Sequence, residues 1–241
     1  SFLVVNTEIT KYVNKLKWVI LPLANPDGYK MTWRSSNPKI ALWRKNMSPA
    51  RCVVKHRRKK CCKGVDLNRN FDFIWGGADT SYDPCSEIYM GTKKFSEPET
   101  RAIRDYIEPR KRNIAAYFAL HTYSQLFAYS QSAQVQKFPK DVRHLDRVAR
   151  RAATAIQNTY GTQYLVGSGA NLLYPASGTG VDWAKETMGI KFSYLLELRP
   201  HKDSTSYRAF FLAPEELIPT ARETWNGIKV VANEVISYYR L

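Results

Sequence analysis

Nowhere does the chain hold an uninterrupted apolar run approaching the roughly 20 residues of a membrane-spanning helix, which excludes a membrane span. Its opening, SFLVVNTEITKYVNK, lacks the charged-then-apolar order of a signal peptide, so the protein is either cytosolic or its targeting segment lies outside these residues. Cysteine is scarce, four in all, and no two stand in a C-x-x-C spacing, which argues against a structural zinc site. Acid is scarce as well: 21 Asp and Glu stand against 37 Lys and Arg, a formal charge of +16. Internal repeats and low-complexity linkers are missing, so residues 1–241 read as a single domain.

What is present builds a core, since 44% of the residues are hydrophobic and 13% aromatic. Cys52, Cys61, Cys62 and Cys85 permit three disulfide pairings, and all lie in one loop-rich third of the chain. That distribution fits short-range staples and favours an oxidising, secreted setting. The excess positive charge is densest at Lys55-His56-Arg57-Arg58-Lys59-Lys60, followed by Lys63, while Arg104, Arg110, Lys111, Arg112, Arg143, Arg147, Arg150 and Arg151 spread over expected helices. A solvated loop and ordinary helix surfaces account for these positions. The functional alternatives are an anionic partner (a sulfated polysaccharide, nucleic acid or lipid headgroups) and proteolytic processing at the run.

Short apolar runs at Trp18–Leu23, Tyr117–Leu120 and Phe192–Leu196 are strand candidates of the kind a sheet covered on both faces uses. Ser96-Glu97-Pro98-Glu99 has capping-box spacing and predicts a helix from about Glu97 to Glu108. Val142, Leu145, Ala149, Ala152 and Ile156 predict a second helix, with Gly161 placed to end it, and Ala221, Trp225, Ile228, Ala232, Val235 and Tyr239 a third after Pro219. Short buried strands between amphipathic helices mean an α/β fold, a mixed, mostly parallel central sheet with helices on both faces. Active sites in such sheets lie where loops leave the strand ends.

Polar groups stand at those ends. Asn25-Pro26-Asp27-Gly28 is expected as a turn after the first strand, His121 closes the middle one, and Glu197 closes Phe192–Leu196. Asp66-Leu67-Asn68-Arg69-Asn70 reads either as a hydrogen-bonded turn or as an amide and a guanidinium set side by side for a carboxylate. A carboxylate grip beside a glutamate and a metal-ligating histidine suits removal of a peptide's C-terminal residue.

These segments together resemble the zinc metallocarboxypeptidases of the pancreatic carboxypeptidase A and B family, in order from about Trp18 to Trp225. The resemblance is carried by Asn25–Tyr29, Leu42–Lys45, Gly64–Phe71, Pro84–Glu87, His121–Gln125, Tyr174–Gly178, Asp182-Trp183 and Glu197–Arg199. It implies that His121 is a zinc ligand and Glu197 the general acid/base. It implies that Arg44 stabilises the oxyanion, that Asn68 and Arg69 grip the terminal carboxylate, that Tyr174 closes over it, and that Asp66 orients a histidine ligand. The family's disulfide matches Cys62 and Cys85, which leaves Cys52 and Cys61 as a second pair. Seven residues after Tyr174 the family places the floor of its side-chain pocket; Val181 stands there, and an apolar floor implies cleavage of aromatic or aliphatic C-terminal residues.

The resemblance breaks at one place. The family takes two further zinc ligands from His-x-x-Glu, and none of His56, His121, His144 or His201 is followed by Glu at that spacing. The sequence therefore reads as a family member lacking its N-terminal strands and first zinc-ligand segment, with one Zn2+ per complete domain and the other ligands outside this chain. Alone it is expected to be inactive and poorly stable. The alternative is a metal-free relative that binds C-terminal peptides. The partners implied are peptide or protein C-termini and, through residues 55–63, an anionic polymer; no specific nucleic acid is implied, and the protein is expected to be a secreted, extracellular monomer. The segment His201–Ser206 lengthens a connection bordering the pocket, and Arg199-Pro200 falls where the family has a cis bond.

Overall fold

The computed structural model describes residues 7–34, 37–55, 57–204 and 210–241. Helix α1 (Thr7–Lys15) leads into an extended stretch and then into α2 (Pro26–Thr32). A hairpin of β1 (Arg51–Lys55) and β2 (Arg58–Cys62) follows, then α3 (Pro98–Ile107), β3 (Ala116–Ser124) and β4 (Leu126–Tyr129). The remaining long elements are α4 (Val142–Tyr160), β5 (Leu165–Ser168), β6 (Phe192–His201) and α5 (Leu217–Tyr239). Among the described residues no helix is long and apolar enough to cross a membrane.

Four strands form one mixed sheet in the order β3-β6-β4-β5. β3 and β6 run parallel, as do β4 and β5, while β4 and β6 are antiparallel. Because strand side chains alternate, the sheet sorts its residues by parity. Phe192, Tyr194 and Leu196 of β6 join Phe127 and Tyr129 of β4 against Leu145, Val148, Ala149, Ala152 and Ile156 of α4 and Val231 and Val235 of α5. Burying each large aliphatic of this layer contributes about 1.5–3 kcal/mol. Leu195, one position out of phase, faces the other way and packs with Ala128 and Val181. On that second side Phe71, Phe95, Trp183 and Ile190 build a further core with Ile107 of α3, so helical segments cover both faces as expected.

The periodic helices form where the sequence places them. Gly161 ends α4 at φ +80, in the left-handed region, and its N–H reaches the Gln157 carbonyl at 2.7 Å. α5 begins two residues ahead of Pro219, because the first-turn N–H groups of any helix lack partners and a proline there breaks no bond.

Three expectations need correction. Trp18–Leu23 is extended but belongs to no strand: among the described residues nothing pairs with it, and Val19, Ile20 and Leu21 are exposed. Only Trp18 packs, against Trp225 at 5.5 Å between ring centroids. The Asn25–Gly28 segment is not a free turn but the start of α2, with Pro26 at its first position and the Asn25 Oδ1 accepting from the Gly28 N–H at 3.0 Å. The capping box before α3 does not form. The Ser96 hydroxyl donates to Glu97 Oε1 at 2.6 Å and accepts from Asn70 Nδ2 at 2.9 Å, while Glu99 Oε2 accepts from Asn46 Nδ2 at 3.0 Å. Longer-range partners displace the local cap.

The basic run, read from sequence as a solvated loop, is the β1–β2 hairpin; residue 56 lies outside the described residues. Cys52 pairs with Cys61 across the hairpin and Cys62 with Cys85. Of the lengthened segment after β6, residues 205–209 also lie outside the described residues. The Arg199-Pro200 bond is cis, and so is Thr122-Tyr123.

Candidate active site

Two parallel strands present the central pair. His121 of β3 and Glu197 of β6 are register partners, and on its other side Glu197 stands opposite Leu126 of β4. By the parity of β6, Glu197 shares the face of Leu195 and Val181, away from the α4–α5 layer. Its Oε2 is buried without a hydrogen-bond partner. Burial pushes the Glu197 carboxyl up to about 8 and outweighs the opposing pull of Arg44. Enclosure likewise pushes the His121 imidazole down to about 4, opposed by Asp66 and reinforced by Arg44 and Arg69, so the ring is neutral.

Arg44 is aimed by a brace on its own backbone. Gly28 lies so close that a Cβ there would stand 2.5 Å from the Lys45 carbonyl, and Asn25 Nδ2 donates to that same carbonyl at 3.1 Å. The neighbouring Asn46 is buried, with its Nδ2 donating to Glu97 Oε2 at 2.8 Å and its Oδ1 accepting from Val65 N at 2.9 Å. From this anchored segment the half-exposed Arg44 side chain donates from Nη2 to Asp66 Oδ2 at 2.6 Å.

The Asp66–Asn70 knot divides its labour. Asn70 is fully buried and structural, donating to the carbonyls of Met90 and Lys93 and accepting from Thr100 Oγ1 at 2.7 Å. Asp66 Oδ1 accepts from the Asn68 N–H at 3.1 Å, and Asn68 Oδ1 accepts from Gly180 N at 3.0 Å, tying the knot to the segment that carries Val181. Arg69 is 2% exposed and already engaged: Nε donates to the Asp79 carbonyl at 2.7 Å, Nη2 to Asp79 Oδ2 at 2.6 Å and Nη1 to the Asn68 carbonyl at 3.0 Å. A guanidinium has five N–H donors, so two remain for an incoming carboxylate.

Tyr174 is 48% exposed and lies close enough to Arg69 to act on it electrostatically. Val181 is buried against Ala128 and Leu195, which makes its surroundings apolar. Arg44, Asp66, Arg69, His121 and Glu197 thus share one electrostatic neighbourhood, bordered by Asn68, Tyr174 and Val181. Among the described residues Asp66 bonds no histidine; it holds Arg44 instead. Arg199, two residues beyond Glu197, turns away to Glu223, Glu216 and Thr162 and locks β6 to α5.

A catalytic zinc needs three protein ligands and an open position. The described residues include no group of three or more His, Cys, Asp or Glu able to hold a metal. His121, neutral and inside β3 rather than at its end as expected, is a fitting donor, but among the described residues the donor set around it is incomplete.

Two site-supporting residues carry no sequence signal that singles them out. Asp79 sits in a loop between two quoted segments, in neither of them, yet holds Arg69. Asp182 is fully buried and accepts from Ser130 Oγ and the backbone N–H groups of Gln131, Ser132 and Ala133, which fixes the exit of β4 beside the site. Its place next to Trp183 was visible in the sequence; its role was not.

Arg44, Asp66, Arg69, His121 and the half-buried Glu197 meet on the face of the sheet turned away from α4 and α5. Residues 2–227 match the zinc carboxypeptidase family, and the chain belongs to that family. It is 41% identical to carboxypeptidase A4 of Mus musculus over 230 residues, covering 94% of this chain and 50% of that protein. To carboxypeptidase B of Astacus astacus it is 39% identical over 227 residues, covering 94% of this chain and 70% of that one. Bovine thrombin-activatable fibrinolysis inhibitor, solved in complex with tick carboxypeptidase inhibitor, superposes with a TM-score of 0.81 at 36% identity, over 96% of this chain and 75% of that chain. The chain spans about half the length of the mouse relatives it matches.

Proposed function

We propose that this chain forms the substrate-binding and acid/base part of a zinc carboxypeptidase site that releases aromatic or aliphatic C-terminal residues from peptides. The observation that carries the proposal is Glu197, half-buried with its Oε2 enclosed and unpartnered, in register with His121 and within the field of Arg44. A carboxyl raised toward neutrality takes a proton from the attacking water and passes it to the leaving amine. Arg44 donates to the oxyanion that develops at the scissile carbonyl. The two remaining Arg69 donors and Asn68 hold the terminal carboxylate, with Tyr174 closing from its exposed position. Val181, among Ala128 and Leu195, offers no countercharge to a basic side chain, which supports apolar specificity. Zinc in this family would supply electrophilic activation with His121 as one ligand; the incomplete donor set supports weak retention of metal and little hydrolysis by these residues alone. The two disulfides support a secreted protein.

Zinc content of the 241-residue chain after gel filtration at neutral pH tests the metal assignment: no retained zinc is expected, and one tightly held ion per chain would overturn it. A second reading, a metal-free binder of peptide C-termini, is favoured by the same single histidine beside a formed cradle. Calorimetric titration with a peptide ending in Phe, as free acid and as amide, is expected to show binding of the acid alone. Equal binding of the amide would sink the carboxylate assignment in either reading.

A further inference from the structure

The β1–β2 hairpin is not used by the chemistry above. Between Arg51 and Lys63 the sequence has seven Lys and Arg and no Asp or Glu. Arg57, Arg58, Lys59, Lys60 and Lys63 are all exposed, and among the described residues none of them forms an ion pair. The strand register distributes these charges. Lys60 lies opposite Val53 and shares a face with Arg58, whereas Lys59 lies opposite Val54 on the face of the Cys52–Cys61 bridge; Arg57 stands at the tip with φ +63. Positive charge therefore surrounds the hairpin rather than marking one side of it.

The hairpin is also held in place. Cys52–Cys61 crosslinks its strands, Cys62–Cys85 ties its end to the following loop, and its base is closed by Asn46 N donating to the Val65 carbonyl and Gly64 N to the Ser48 carbonyl, each at 3.0 Å. Like charges on such a narrow hairpin repel, and among the described residues no ion pair neutralises Arg57, Arg58, Lys59, Lys60 or Lys63. An unneutralised, crosslinked cationic element is suited to a polyanion.

We propose that this hairpin docks a sulfated polysaccharide, an attachment independent of the peptide site. Three observations select that polyanion. Residues 51–63 contain no Phe, Tyr or Trp on which successive nucleobases could stack. Val54 is the one exposed large apolar residue there, so an apolar wedge for a lipid surface is missing. Both disulfides fit the oxidising compartment in which sulfated polysaccharides are the abundant polyanions.

The test is binding of the full 241-residue chain to a fluorescent heparin oligosaccharide at increasing salt, with Arg58→Ala/Lys59→Ala/Lys60→Ala against Arg110→Ala/Lys111→Ala/Arg112→Ala, which removes equal charge elsewhere on the exposed surface. The hairpin variant is expected to weaken binding about tenfold or more and to flatten the salt dependence, while the control variant stays within about twofold. Equal weakening by both variants would assign binding to net charge and overturn the proposal. So would undiminished binding of a desulfated oligosaccharide, or tighter binding of a single-stranded oligonucleotide or of anionic lipid vesicles. Should the triple variant lose its circular-dichroism melt, Arg58→Gln and Lys60→Gln measured singly are each expected to weaken binding about threefold, and no change in either would overturn the proposal equally.

Discussion

Arg44 reaches Asp66 across 22 residues of chain, Nη2 to Oδ2 at 2.6 Å, and that contact closes the loop from which the cationic hairpin projects. It also sets the direction of the one half-exposed guanidinium in the site. Replacing Asp66 by Asn is expected to release Arg44 and to take from buried Arg69 the more distant of its two countercharges, at 4.0 Å, leaving Asp79 at 2.6 Å. The loss should be about 1–3 kcal/mol of stability, read as a lower urea midpoint with an unchanged slope. Affinity for a free C-terminal carboxylate should fall with it.

Glu197 makes stability depend on pH in a stated direction. Its folded value of about 8 lies above the ordinary 4.5, so the folded state favours the protonated form. The stability contribution is complete below pH 4.5 and lost as pH rises toward 8. Glu197→Gln should remove that decline: urea midpoints of variant and parent measured at pH 5, 7 and 9 are expected to diverge progressively, with the variant the more stable at pH 9 by up to a few kcal/mol. Parallel midpoints would contradict the burial assigned to this carboxyl.

Asp141 predicts the opposite trend. Burial alone would raise it, but hydrogen bonds from Lys185 at 2.9 Å and Lys191 at 3.0 Å, with their charges, hold it below 3.8. Its contribution is present above pH 3.8 and lost as pH falls through the depressed value. Asp141→Asn is therefore expected to destabilise at pH 7 and to converge on the parent as pH falls progressively below 3.8, in thermal melts at constant ionic strength.

Gly178 has φ +69, and a Cβ built there would lie 2.4 Å from the Arg69 carbonyl. Neither the backbone nor that carbonyl can give way without moving Arg69. Gly178→Ala should cost about 1–3 kcal/mol and weaken binding of a peptide free acid more than it lowers the melting temperature would suggest, a split that calorimetric titration and a melt together resolve.

Much of this was legible in the residues themselves. Helix α4 announced both its apolar spacing and its glycine stop, and Glu197 and His121 stood out as polar residues on apolar strands, although β6 and β3 run on past them to His201 and Ser124. What could not be read is what depends on distant partners. Ser96 has the right spacing for a cap, but its hydroxyl donates to the adjacent Glu97 side chain and accepts from Asn70, 26 residues away. Trp18–Leu23 has strand composition, yet a strand exists only with a neighbour, and the pattern along one segment does not contain that neighbour. Asp79 has no local feature to distinguish it, because its function is to satisfy Arg69.

The parity of β6 ties two properties of the protein to a single count of residues. Phe192, Tyr194 and Leu196 fill the helix-covered layer because Glu197 looks the other way. One residue inserted between Ser193 and Leu195 would turn Glu197 into that apolar layer and Leu196 out of it, so the packing and the placement of Glu197 beside His121 would fail together. Substitutions along this strand are separable in their effects, whereas insertions and deletions are not. Evolution can therefore tune β6 by exchanging side chains, but its length between Phe192 and Glu197 is frozen.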